Sequence, residues 1–392
     1  MAETVVITGI GLVSSLGVGV ARHREALSQH PSATPVTDGE RFAPYTVHPL
    51  PEIDWSEQIP RKDQRQMDQW QRLGVFAAGL ALDDAGLKDD AERRASMDMI
   101  VAAGGGERDV AVDTAIVDAS ANANDREAML NEYLLRELRP TLFLSQLSNL
   151  MAGNISIVHK VTGSSRTFMG EEAAGISALE TAHRRIKAGQ TTHALVGGAQ
   201  VAERPDMLFV YETAQALAQG DWRPIGERAN QAGGGVVPGS VGAFLVLEAL
   251  PHAQARGARI YATLESLEAA RGSRDGDVFE TRLASLIPAE TADAVVFSGA
   301  SGLVGPTTRE LAALASRFGD SAILCYGDIF GHALEAQMPL GVALAALALS
   351  DGPAGVAGPE RSPTAKHRAI VSVVGYGRAE GVASLAAWEA HA

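Results

Sequence analysis

Short apolar runs, most of them ending in glycine, alternate with helical-period segments along the whole chain. This spacing constrains the fold more than any other feature. VVITGIG (5–11), MIVAAGGG (99–106), SSRTFMG (164–170) and ALVGGAQ (194–200) are strand-like. AFLVLEAL (243–250), AVVFSGASG (294–302), AILCYG (322–327) and AIVSVVGYG (369–377) continue the theme. Residues 67–87, 139–161, 171–189, 310–319 and 340–349 have helical period, with Gly86 a stop for the first. Strands alternating with helices predict parallel or mixed sheets covered on both faces. Two strand-to-glycine-turn openings, ITGIG and FSGASG, suggest two similar halves. The stretches 107–135 and 351–366 read as surface excursions.

Charge and cysteine narrow the function. The 392 residues carry 33 basic and 47 acidic side chains, a net charge of −14. No basic excess is available to neutralise phosphates, which excludes nucleic acid as the main partner. Cys325 is the single cysteine, so there is no intramolecular disulfide and no CxxC site. It lies in the apolar run ILCYG with no helix start behind it and reads as an inert thiol. The N-terminus enters a strand-like run without a basic leader, and the apolar run 338–349 is too short to span a bilayer. The expectation is a cytoplasmic protein without a membrane segment. No HExxH, P-loop or Cys/His metal spacing occurs. The glycine clusters 104–106 and 233–235 lack the GxGxxG arrangement and read as turns and close packing, so no cofactor is expected.

The stretch GSSRTFMGEEAAGISALE (163–180) is the most telling. It reads as a strand, a sharp turn and a helix start, a place where reactive side chains often stand. Here two carboxylates, Glu171 and Glu172, occupy it. Acids suit the first turn of a helix whose last turn holds Arg184, Arg185 and Lys187, so dipole complementarity explains them without any function. The other reading is a carboxylate set in a functional slot.

Taken in order, TVVITGIGLVSSLG, MDQWQRLGVFAAGLALDDAGL, NLMAGNISIVHKVTGSS, HALVGGAQ, GAFLVLEALPHAQARGARIYA and VVGYGRAEG resemble landmarks of the β-ketoacyl-acyl-carrier-protein synthases. The resemblance covers nearly the whole chain. It implies a thiolase-like α/β fold of two βαβαβ-type halves, 1–250 and 251–392, forming one compact five-layered α-β-α-β-α core. Members load an acyl chain on a cysteine and condense it with malonyl-carrier protein after decarboxylation.

Carried over by resemblance, the nucleophile position falls on Glu172, followed by Ala173, Ala174 and Gly175. The first catalytic histidine falls on Ser301 and the catalytic lysine on Gly327; the second histidine is retained as His332. The C-terminal glycine loop becomes Gly375-Tyr376-Gly377-Arg378, with Tyr376 as the gating aromatic and Arg378 a charged departure. A lone His332 is equally consistent with a plain backbone hydrogen bond. A glutamate gives a reactive mixed anhydride or none, where cysteine gives a durable thioester. Losing one donor to the developing enolate costs roughly 10²–10³ in rate. The resemblance therefore implies a non-condensing, chain-length-factor-like subunit. It would pair with a cysteine-bearing ketosynthase as a heterodimer, or form a homodimer, in very-long-chain (lipid A-linked) fatty acid or polyketide-type elongation. Known chain-length factors typically carry Gln in the nucleophile slot, so Glu172 departs from them too. Arg61, Lys62 and Arg65 are candidates to dock an acidic acyl carrier protein, against the default of a solvated helix edge. Alternatives are a malonyl-carrier decarboxylase or thioester hydrolase using Glu172 and His332, a condensing enzyme with an unusual site, and a nucleotide-binding α/β protein.

Overall fold

The computed structural model describes residues 2–29, 33–137, 144, 146–228, 234–289, 294–319, 323–350 and 367–388. Eleven strands are hydrogen-bonded into one continuous arrangement. They are β1 (Val5–Ser14), β2 (Gly17–Val18), β3 (Asp98–Ala103), β4 (Ser165–Met169), β5 (His193–Gln200) and β6 (Val241–Ala249). After them come β7 (Ala262–Arg271), β8 (Val295–Ser298), β9 (Ile323–Cys325), β10 (Arg368–Val374) and β11 (Ala379–Ala387). Five helices matter most: α1 (Gln69–Asp84), α2 (Asn149–His159), α3 (Glu171–Lys187), α4 (Pro306–Phe318) and α5 (Gln337–Ser350).

The strand order is β4-β3-β5-β6-β1-β7-β11-β10-β8-β9, with β2 paired to β1. Read inward from each end, the two runs of five match. β4, β3, β5, β6 and β1 correspond in place to β9, β8, β10, β11 and β7. The pairing senses match as well. β3 is parallel to β4 and β5, as β8 is to β9 and β10. β6 is antiparallel to β5 and β1, as β11 is to β10 and β7. The runs join only through the pairs Val6–Thr263 and Ile7–Ala262. So short a joint leaves the two sets of strands free to face each other across a shared layer. We propose that the two halves, 1–250 and 251–392, part between β6 and β7.

That shared layer is α3 and α5. They pack on each other, α3 touching β3, β5, β7 and β11, and α5 touching β6, β10 and β11. Every residue of α5 from Gln337 to Leu349 is buried, the mark of a helix enclosed on all sides. α1 and α2 cover the outside of the first set; α4 and the helix Val278–Leu286 cover the outside of the second. Two sheets, one shared helical layer and two outer layers make the expected five.

Three readings need correction. The glycines of ITGIG are not a turn. Gly9 and Gly11 lie inside β1, which bulges between Ile7 and Gly9. There they let α1 press onto the strand: a β-carbon at Gly11 would lie 2.0 Å from the Ala77 carbonyl oxygen. FSGASG also does not correspond to ITGIG, because β8 matches β3, whose end is AAGGG. Residues 107–135 are at the surface as expected but form two helices, Val110–Asn122 and Arg126–Arg136, with no buried residue. The stretch 351–366, most of 139–145 and Gly233 lie outside the described residues. Gly104, Gly234 and Gly235 all sit in close contacts, as their packing reading requires. Among the described residues no helix is long and apolar enough to cross a membrane.

Gly11→Ala forces the added methyl into the α1 backbone. The expected loss is on the order of 1–3 kcal/mol, read as a lower urea midpoint. An unchanged midpoint would contradict this helix–strand approach.

Candidate active site

β4 hands the chain to Gly170, whose φ of +122° favours glycine, and α3 begins at the next residue. Glu172 is therefore the second residue of a seventeen-residue helix, with its side chain turned into the interior and 1% exposed. Facing it is His332. Gly331, at φ +73°, turns the chain after a short helix, Gly327–Phe330. The main chain of His332 is then pinned on both sides: its N–H donates to the Val237 carbonyl at 2.8 Å, and its carbonyl accepts from Gly239 N–H at 2.9 Å. The imidazole Nε2 lies 2.6 Å from Glu172 Oε1. An ionised carboxylate accepts only, so the proton of this bond belongs to Nε2. Nδ1 is buried without a partner among the described residues.

Glu172, His332, Glu171, Glu335 and Tyr211 share this neighbourhood and act on one another electrostatically. Burial alone would raise the Glu172 carboxyl. The hydrogen bond and charge of His332, then the backbone N–H groups of Glu172 and Tyr376, reverse this and hold it below the ordinary carboxylate range. Its neighbour Glu171 goes the other way, raised by burial and by the Glu172 charge. Glu335, 4% exposed, is pushed up to about 7 by burial, with Glu172 and Glu171 adding repulsion. Tyr211 is raised by burial and by the same three carboxylates. Its ring lies 5.8 Å from that of Tyr376. Tyr376 belongs to the β10–β11 hairpin, whose Gly375 passes so close that a β-carbon there would be 3.0 Å from Glu172 Oε2.

The remaining positions read from sequence are placed as follows. Ser301 is buried, and its Oγ accepts from Leu303 N–H at 3.2 Å within its own turn. That turn is tied to the His332 loop by Gln337, which donates to the Gly299 carbonyl at 3.1 Å and accepts from Ala333 N–H at 2.7 Å. Gly327 starts the short helix beneath, where a β-carbon would meet Ile225 Cδ1 at 2.9 Å and the Ala300 oxygen at 3.3 Å. Arg378 is exposed, with its carbonyl accepting from Gly272 N–H. Arg61, Lys62 and Arg65 are exposed along a short helix, Arg61–Gln64, and its C-cap. Cys325 is half-buried at the end of β9, its thiol pushed well up by burial and by Asp328 and Glu310. The structure thus joins Glu172, His332 and the Tyr376 hairpin, and leaves the basic trio and Cys325 apart from the pair's hydrogen bonds.

Sequence reading missed Glu335 and Gln337. Glu335 had a signal: it is the only Asp, Glu, Lys or Arg between Ile329 and Leu349. A lone acid in an apolar run marks a buried carboxyl. Around it the packing is close. A β-carbon at Gly104 would lie 2.6 Å from Glu335 Oε1, and one at Gly175 would lie 2.4 Å from the Glu335 carbonyl oxygen. The recess beside His332, lined by Met207, Tyr211, Val236, Pro238 and Leu334, is too narrow to admit a water-sized sphere. Among the described residues no group of three His, Cys, Asp or Glu side chains could hold a metal ion.

A carboxyl raised on folding stabilises the protein at low pH and loses that contribution as pH rises through its folded value. For Glu335 the loss runs from the ordinary glutamate range up to about 7. Glu335→Gln, a permanently neutral replacement, should gain stability relative to wild type between pH 5 and pH 8 in urea titrations. A difference that stays constant with pH would contradict a neutral buried Glu335.

Residues 2–253 match the family model described as beta-ketoacyl synthase, N-terminal domain. The chain is similar to 3-oxoacyl-[acyl-carrier-protein] synthase 2 of Vibrio harveyi, 29% identical over 265 residues, covering 66% of this chain and 61% of that protein. It thus spans less than two thirds of that relative's length. It is also similar to the tetracenomycin polyketide synthase ketoacyl synthase beta subunit of Streptomyces glaucescens, 28% identical over 341 residues, covering 81% of this chain and 78% of that protein. The solved ishigamide ketosynthase/chain length factor superposes with a TM-score of 0.77 at 23% identity, covering 99% of this chain and 100% of that chain, which establishes the thiolase-like fold. With the family model matched over more than half of its 392 residues, this chain belongs to the β-ketoacyl synthase family.

Proposed function

We propose that this chain is a ketosynthase-like subunit that does not condense on its own. It works beside a cysteine-bearing β-ketoacyl synthase in fatty acid or polyketide-type elongation on acyl carrier protein. One observation carries the reading: a buried Glu172, its carboxyl held below the ordinary range, stands at the start of α3, where the family resemblance puts the nucleophile, and accepts the hydrogen bond of His332 Nε2. A carboxylate held below its ordinary range is a weak nucleophile. A histidine already donating to it is not free to steady an enolate. Ser301 is turned into its own loop and Gly327 has no side chain, so neither supplies what is missing.

Support for a partner comes from the surface and from the relatives. Among the described residues β4 ends the strand order and pairs only with β3, which leaves one edge open there. Met169 on that edge is 73% exposed, and Ile157, Phe209 and Val210 are exposed too. Such apolar exposure is characteristic of an association surface. One relative is named as a beta subunit, and one fold neighbour as a ketosynthase paired with a chain length factor. Arg61, Lys62 and Arg65 are the proposed docking points for an acidic carrier protein. The same pairing on very-long-chain acyl groups, including a lipid A-linked route, is one form of this proposal.

The decarboxylase or hydrolase alternative has the Glu172–His332 hydrogen bond in its favour. It needs Glu172 to take a proton near neutral pH, and the carboxyl is shifted the opposite way.

Intact-mass analysis of the purified chain with acyl-carrier and malonyl-carrier proteins tests the role. The expected result is an unmodified chain and unchanged carriers. On co-expression, a complex should form with a cysteine-bearing ketosynthase whose product length depends on this chain. Formation of β-ketoacyl-carrier by the chain alone would overturn the proposal. Release of acetyl-carrier, or of free acid from the acyl-carrier, would transfer the assignment to the alternative.

A further inference from the structure

The hairpin that covers Glu172 is held from behind by a side chain outside the described site. Arg274 follows β7 in the loop that leads to the helix Val278–Leu286. Its Nη2 donates to the Gly375 carbonyl at 2.6 Å, its Nη1 to the Tyr376 carbonyl at 3.2 Å, and its Nε to Glu380 Oε1 at 3.2 Å. A trans peptide points its C=O and N–H in opposite directions. Drawing the Gly375 carbonyl outward to Arg274 therefore aims the Tyr376 N–H of the same peptide inward, and that N–H is among the groups that lower Glu172.

The loop bearing Arg274 is itself anchored. Glu380, fully buried, is also gripped by Arg282, at 2.8 Å from Nε to Oε2. Arg282 donates to the Ser273 carbonyl at 2.8 Å, and Arg309 to the Arg274 carbonyl at 2.6 Å. The guanidinium groups of Arg274, Arg282 and Arg309 lie within 6.0 Å of the Phe279 ring. The Gly272 N–H adds a main-chain bond to the Arg378 carbonyl at 3.2 Å.

We propose that Arg274 is a positioning residue: its forked grip on the Gly375 and Tyr376 carbonyls latches the β10–β11 hairpin over the site and aims the Tyr376 N–H at Glu172. The latch is a property of the hairpin and holds whether or not the chain condenses. Arginine is suited to it because one planar group reaches two carbonyls and a carboxylate at once. Lysine keeps the charge and the pairing with Glu380 but cannot span both carbonyls.

Hydrogen exchange of the full chain, read on peptides covering residues 372–379, tests the latch without turnover. In Arg274→Lys and Arg274→Gln the Tyr376 amide should exchange at least tenfold faster, with peptides from β3 and α5 unchanged. Arg282→Lys serves as control, because it weakens the other arm on Glu380, keeps a donor for the Ser273 carbonyl and leaves the hairpin carbonyls bound to Arg274. It should keep the Tyr376 amide protected. Unchanged protection in Arg274→Lys would overturn the latch. So would equal loss in the Arg274 and Arg282 variants, which would assign the effect to Glu380 packing alone.

Discussion

The buried hydrogen bond between Glu172 and His332 is the interaction on which the character of this site depends. A carboxylate taken fully out of water is tolerated only when donors replace the lost hydration. Here the start of α3, the His332 imidazole and the Tyr376 hairpin converge on one side chain. Each belongs to a different part of the chain, so the pair also fixes how those parts meet. Glu172 comes from the end of β4 in the first run of strands, and His332 from the loop after β9 in the second. These two strands hold the same place in their respective runs. The pair thus sits where corresponding corners of a repeated architecture face each other across the helical layer.

The same placement explains why the neighbouring acids behave so differently. Glu171 is one residue away but misses the imidazole, so burial and the Glu172 charge raise it. Glu335 lies among the close contacts at Gly104 and Gly175, where its Oε2 is buried without a partner among the described residues. A neutral carboxyl is the less costly form there. One acid shifted down and two shifted up in a single neighbourhood follow from one histidine whose hydrogen bond serves only Glu172.

Much of this was legible in the chain. Buried strands and helices alternate at a period that left little choice but layered α/β. The turn at Gly170 was visible as small residues between a strand and a helix. His332 was singled out by its family motif and set beside Glu172 by the resemblance, whereas local pattern alone could not pair two residues 160 positions apart. Gly9 and Gly11 read as a turn because local pattern cannot tell a turn glycine from one that lets a helix approach. The matching of β8 with β3 lies in strand order, which no local motif encodes. Gln337 and Arg274 act through carbonyl oxygens of distant loops, and backbone acceptors leave no mark in a sequence.

The central claim is that Glu172 stays ionised inside the protein, and infrared difference spectroscopy tests it most directly. Wild type minus Glu172→Gln, titrated from pH 8 to pH 4, isolates the carboxyl of this one residue. The account predicts a carboxylate band that persists to pH 5 without a protonated carbonyl band growing in its place. A protonated Glu172 band at pH 6 or above would contradict it.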